Sequence, residues 1–128
     1  MENYVRIDHE HRRVAIRAQG QWTLDLADQW YDDMVRVRDW SQATGEPITI
    51  LADLDGLILH TQEVSRRIEE SVVIMRQFPI DRYILVVPSF LMRMQCRRLL
   101  DGIAHSFSDS VDEAKSLLGW TVEGGVAA

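Results

Sequence analysis

The chain has 128 residues, a formal net charge of −6, a hydrophobic fraction of 46% and a charged fraction of 27%. That is enough apolar material to close one core without disulfides or metals, and too much for intrinsic disorder. The acidic balance argues against a general nucleic-acid binder, which needs clustered Lys and Arg, and no apolar run approaches the ~20 residues that cross a bilayer.

Tyr4-Val5-Arg6-Ile7-Asp8 alternates apolar and polar residues, and after the polar stretch His9–Arg12 the run Arg13-Val14-Ala15-Ile16-Arg17-Ala18-Gln19 resumes alternation on Val14 and Ile16. Two half-buried strands joined by so short a link pair as an antiparallel hairpin, and Gly20 closes the second. Thr23 then caps a helix, with Asp25 and Asp28 at its positive end and Ala27, Trp30, Tyr31, Met34 and Val37 recurring at helical spacing to about Gln42. After Gly45 and Pro47, the run Ile48–Leu54 reads as a central strand that exits through Asp53, Asp55 and Gly56. A second helix begins near Thr61, with Val64, Ile68, Val72 and Met75 as its buried stripe, and Pro79 stops it. Arg82–Val87 is the next strand. Ser89 caps a third helix whose inner face is Met92, Cys96, Leu99, Leu100 and Ile103, and Phe107 marks a short further strand. Ser110-Val111-Asp112-Glu113 fits a capping box, with Val111, Ala114, Leu117 and Leu118 facing inward and Gly119 as the closing residue.

Strands alternating with helices after a leading hairpin give an α/β class: a mixed four- to five-stranded sheet, mostly parallel, with about four helices. Residues 1–120 are expected to form one domain and residues 121–128 a flexible tail. Cys96 is the only cysteine, which suits a reducing compartment, and Met1–Arg6 has no apolar h-region, so a cytoplasmic protein without a membrane span is expected.

Two carboxylates leave the central strand as Asp53-Leu54-Asp55-Gly56. This resembles the nucleophile motif of the haloacid dehalogenase superfamily of phosphatases. That likeness implies Asp53 as nucleophile and Asp55 as general acid/base around a magnesium ion. The hairpin and helix ahead of the motif, and a lone lysine (Lys115) on the last helix, do not match that family's layout.

Leu51-Ala52-Asp53-Leu54-Asp55-Gly56-Leu57, followed by His60-Thr61-Gln62 at the mouth of a helix, also resembles the STAS domains, the sporulation anti-sigma-factor antagonist family. There the strand runs into Asp-Leu-Ser-x-Val and then Asp-Ser-Ser; His60-Thr61-Gln62 stands in place of the latter. The opening hairpin, the strand ending in Pro88 and the Phe107–Leu118 segment follow the same layout over nearly the whole chain, closest to the branch that resembles CRAL-TRIO lipid-binding domains. The likeness implies a non-enzymatic regulatory domain that binds a protein partner such as an anti-sigma-factor-like kinase, with Thr61 as candidate phosphoacceptor and Ser65 as the second, and a homodimer as one form. No cofactor, metal or nucleic acid is expected. Asp53, Asp55, His60, Arg93, Arg97 and Arg98 are the candidate interaction surface.

A rival reading is a small-molecule or lipid carrier, with a pocket beneath the second and third helices lined by Phe78, Phe90 and Met94. His9 and His11 read as a polar turn, not metal ligands. Cys96 reads as a buried hydrophobe. Trp30 belongs to the core, and Trp22 and Trp40, where exposed, would anchor an interface.

Overall fold

The computed structural model describes residues 2–58 and 61–120. Strands β1 (Tyr4–Asp8) and β2 (Arg13–Arg17) form the antiparallel hairpin, in register Val5 opposite Ile16 and Ile7 opposite Val14. Helix α1 (Leu24–Thr44) leads to β4 (Ile48–Asp53), α2 (Gln62–Met75) to β6 (Ile80–Val86), and α3 (Phe90–Leu99) to β7 (Ser106–Ser108), before α4 (Val111–Leu118). The main sheet has the order β1-β2-β4-β6-β7, with every pair after the hairpin parallel. The expected α/β class, with its hairpin and mixed five-stranded sheet, is the architecture observed.

Two short strands were not expected. β3 (Gly20–Gln21) pairs in parallel with β5 (Leu57–Ile58), extended by Gly20 N–H to Gly56 O at 2.9 Å and Trp22 N–H to Ile58 O at 3.1 Å. Two residues are too short for any period-2 pattern, so nothing in the sequence announces them. Their effect is to tie the segment before α1 to the loop before α2.

Strand alternation assigns the two faces of the sheet. Val14, Ile16, Ile50, Ala52, Tyr83, Leu85 and Val87 join Met34 and Val37 of α1, Val72 and Met75 of α2 and Cys96 of α3 in one buried cluster. Leu51, Ile84 and Val86 point the other way and pack on Ala114, Val111 and Leu118 of α4. Ala114, Val111 and Leu118 lie on one stripe, so Leu117, expected inward, is instead exposed.

Each helix is started by a hydroxyl. Thr23 accepts from the N–H of Leu26, Thr61 from Val64, Ser89 from Met92 and Ser110 from Glu113, each at 3.1–3.3 Å. Such caps contribute about 1 kcal/mol each. Gly45 and Gly119 close α1 and α4 at φ +74° and +73°, in the left-handed region.

Candidate functional site

The strand order advances in one direction from β2 to β7. Right-handed crossovers then place α1, α2 and α3 on the same face, and no reversal opens a crevice at the carboxyl ends of the strands. Functional groups at that edge are therefore displayed on turns and helix N-termini.

The β4 exit turn holds the first of them. Asp53 is buried; its Oδ1 accepts the Asp55 N–H at 3.2 Å, and its Oδ2 lies 3.7 Å from Nη1 of Arg17 on the adjacent strand. Gly56 takes φ +88° and Leu57 N–H closes the turn on Leu54 O at 3.1 Å. One carboxylate thus shapes the turn and neutralises Arg17, while Asp55 stands exposed. Among the described residues, no group of three His, Cys, Asp or Glu side chains is placed to hold a metal ion. His9 and His11 diverge: His9 meets the Trp40 ring edge-on at 5.3 Å, and His11 Nδ1 lies 2.9 Å from Asp8 Oδ2.

Thr61 is exposed at the mouth of α2, its Oγ1 occupied by the Val64 N–H. Ser65 sits half-buried one turn on, its own N–H bonded to Thr61 O at 3.2 Å. His60 lies outside the described residues.

The three arginines of α3 do not act together. Arg93 donates from Nε to Val87 O at 2.5 Å and from Nη2 to Asp109 Oδ1 at 2.7 Å. Arg93 and Arg97 both lie over the Phe107 ring, at 5.4 and 5.1 Å from its centroid. Asp101, four residues beyond Arg97, forms no ion pair with it among the described residues, since the helix ends at Leu99. Arg98 is exposed. No hydrogen bond or ion pair among the described residues joins these arginines to Asp53, Asp55, Thr61 or Ser65.

The outer face of α3 carries the feature that sequence reasoning misplaced. Phe90, Leu91 and Met94 are 68%, 72% and 48% exposed. The carrier reading put Phe90, Met94 and Phe78 around a pocket; Phe78 is instead buried in the main cluster. The signal was available, since Met92, Cys96 and Leu99 occupy one stripe at i, i+4 and i+7 and leave Phe90, Leu91 and Met94 outside it. That inner stripe roofs a narrow apolar cleft of about 60 Å³ between α2, α3 and the sheet. Burial there pushes the Cys96 thiol up to about 11, which makes it a poor nucleophile at neutral pH.

Beyond β7, Glu113 Oε1 accepts from Ser108 Oγ at 2.7 Å and from the Asp109 N–H at 3.2 Å. The expected capping box is thus shifted: the carboxylate reaches Asp109, and Ser110 N–H bonds instead to Ser108 Oγ at 3.3 Å. The Ser108 bond first, then the Asp109 amide and the charge of Arg93, hold the Glu113 carboxyl below the ordinary glutamate range. A depressed folded-state pKa contributes stability that is present above the unfolded value and lost as pH falls through the folded one. In a carboxyl-detected NMR titration, the Glu113 midpoint is expected below the ordinary glutamate value, and Ser108→Ala is expected to raise it; an unchanged midpoint would contradict this hydrogen bond.

No family model matches the sequence, and no curated protein matches it. Among solved structures, the chain is similar to the anti-sigma factor antagonist SpoIIAA in its unphosphorylated form, with a TM-score of 0.60 and 15% identity, over 94% of this chain and 100% of that one. The likeness is one of fold, and the fold is STAS-like.

Proposed function

We propose that this chain is a non-enzymatic regulatory domain that docks on another protein through the outer face of α3, with Thr61 as a phosphorylation switch. The observation that carries the reading is the contiguous apolar surface of Phe90, Leu91 and Met94, side chains large enough to be binding hot spots and left facing solvent. Arg97 and Arg98 lie on the same helix, so the matching partner surface is an apolar groove with an acidic rim.

A regulatory partner of the anti-sigma-factor kinase type fits two further features. The fold is shared with an anti-sigma factor antagonist, and such a partner would also transfer the γ-phosphoryl group of ATP to Thr61 Oγ1. A phosphate there would meet the unpaired N–H groups and positive dipole at the start of α2. It would also displace the Thr61 cap and add charge beside Glu63, in the first turn of the helix. Ser65 is the second acceptor. Among the described residues no helix is long and apolar enough to cross a membrane, and a buried single thiol supports work in the cytoplasm. Self-association through the same α3 surface is the other way to cover it.

The test is cross-linking capture from the native host with tagged variants, with phosphorylation of Thr61 read by mass spectrometry. Phe90→Glu with Met94→Glu is expected to lose the protein captured by the wild type while melting at the same temperature, because both side chains are exposed. Arg38→Ala should retain it, and Thr61→Asp should weaken it. A partner recovered equally with the double variant sinks the docking assignment. Sedimentation of wild type and double variant tells a hetero-partner from a second copy.

A further inference from the structure

We propose that the cleft between α2 and α3 binds a small uncharged molecule, mostly apolar and carrying one hydrogen-bond acceptor that the Tyr83 hydroxyl engages. Ala52 and Leu85 form the floor, Ile68 and Val72 one wall, and Met92 and Leu99 the roof. Among the described residues no charged side chain lines it, so a charged ligand would enter unpaired and be rejected. Tyr83 lines this space and is 5% exposed; its hydroxyl makes no hydrogen bond among the described residues, and it is not one of the sealed polar atoms without a partner, which are Arg17 Nε and Ser41 Oγ. Its neighbours on the rim are satisfied: Trp22 Nε1 donates to Asn3 Oδ1 at 3.0 Å and Trp30 Nε1 to Ser71 Oγ at 2.7 Å. A phenol hydroxyl that lines an otherwise apolar cleft and has no protein partner gains a hydrogen bond when a ligand places an acceptor there. Burial also pushes the Tyr83 pKa upward, which keeps the hydroxyl protonated as a donor at every physiological pH.

The cleft of about 60 Å³ is smaller than the ~150 Å³ that accommodates benzene. A ligand with one ring therefore enters by moving the roof. α3 is suited to that motion, because Cys96 is the only fully buried side chain among its ten residues, whereas α2 buries five.

The test uses the full chain with labelled methyl groups, titrated with acetophenone, with α-methylstyrene (nearly the same shape without the acceptor) and with benzoate. Acetophenone is expected to shift the Ile68, Val72, Leu85 and Met92 methyls saturably and to slow alkylation of Cys96. α-Methylstyrene should bind about fivefold more weakly, the size of one net hydrogen bond, and benzoate not at all. Tyr83→Phe, which removes one oxygen and leaves the packing intact, should bring acetophenone down to α-methylstyrene. The site is overturned if no cleft methyl shifts saturably, if shifts are confined to the Leu91 and Met94 methyls, or if benzoate binds as well as acetophenone. Equal affinities for the two neutral probes in the wild type overturn the role of Tyr83.

Discussion

Trp22→Ala is expected to remove about 4 kcal/mol of stability, the usual cost of deleting a buried indole. Trp22 is 6% exposed and packs with Ala18, Ala27 and Val64 where the start of α1 meets the start of α2. Its ring meets Trp30 edge-on at 6.2 Å between centroids. Its Nε1 donates to Asn3 Oδ1, an oxygen that also accepts the Gln19 N–H at 3.0 Å, so the indole ties the N-terminal strand to the helical layer. The small Ala18 and Ala27 side chains cannot expand into the vacated volume. For a domain of this length the loss corresponds to a fall in Tm of about 15 °C, read by urea and thermal unfolding with far-UV circular dichroism. Trp22→Phe keeps most of the apolar contact and forfeits one hydrogen bond, so about 1–1.5 kcal/mol is expected. A loss below about 1 kcal/mol for Trp22→Ala would mean that the indole is not part of the core.

Met34→Ala should cost about 3 kcal/mol. Met34 is fully buried at the middle of α1, in the cluster that contains Ile16, Ile50 and Met75, so truncation leaves a cavity between helix and sheet. Met34→Leu conserves volume and should cost less than about 1.5 kcal/mol. The pair separates cavity formation from simple loss of apolar area. Equal costs for the two variants would show that the surrounding helices collapse onto the site. Both measurements use the same unfolding assay, and the Trp22 and Met34 positions fall in different clusters, so their effects are expected to add.

Local chemistry made much of the fold legible. Thr23, Thr61, Ser89 and Ser110 were recognisable as helix starts, because a cap depends on the hydroxyl and the three residues that follow. The hairpin was legible from apolar–polar alternation, and the central strand from the continuous apolar run Ile48–Leu54, observed as β4 over Ile48–Asp53. The STAS-like layout followed from the order of these elements and agrees with the structural similarity to SpoIIAA. The β3–β5 pair was not legible: its register depends on residues 37 positions apart, and each strand is two residues long.

The candidate surface was legible only in part. Arg93, Arg97 and Arg98 could be placed on one helix from sequence, but their partners could not. Phe107 and Asp109 come from a different strand and loop, and only their approach in space separates Arg93 and Arg97 from Arg98. Trp22 could have been an exposed anchor or a core residue; the β3–β5 tie and the Asn3 bond made it core. The opposite happened to Phe90 and Met94, apolar residues that the packing of Met92, Cys96 and Leu99 leaves in solvent.

The amino-acid sequence by itself determined the element order, the helix starts, the hairpin and the class of fold, since each rests on periodicity or on contacts within a few residues. Which apolar side chains close the core, which remain exposed on α3, and that the Tyr83 ring lines the cleft were decided only by the tertiary structure. The reason is that burial is a property of neighbouring elements, and a helix carries no record in its own sequence of how tightly the next one packs against it.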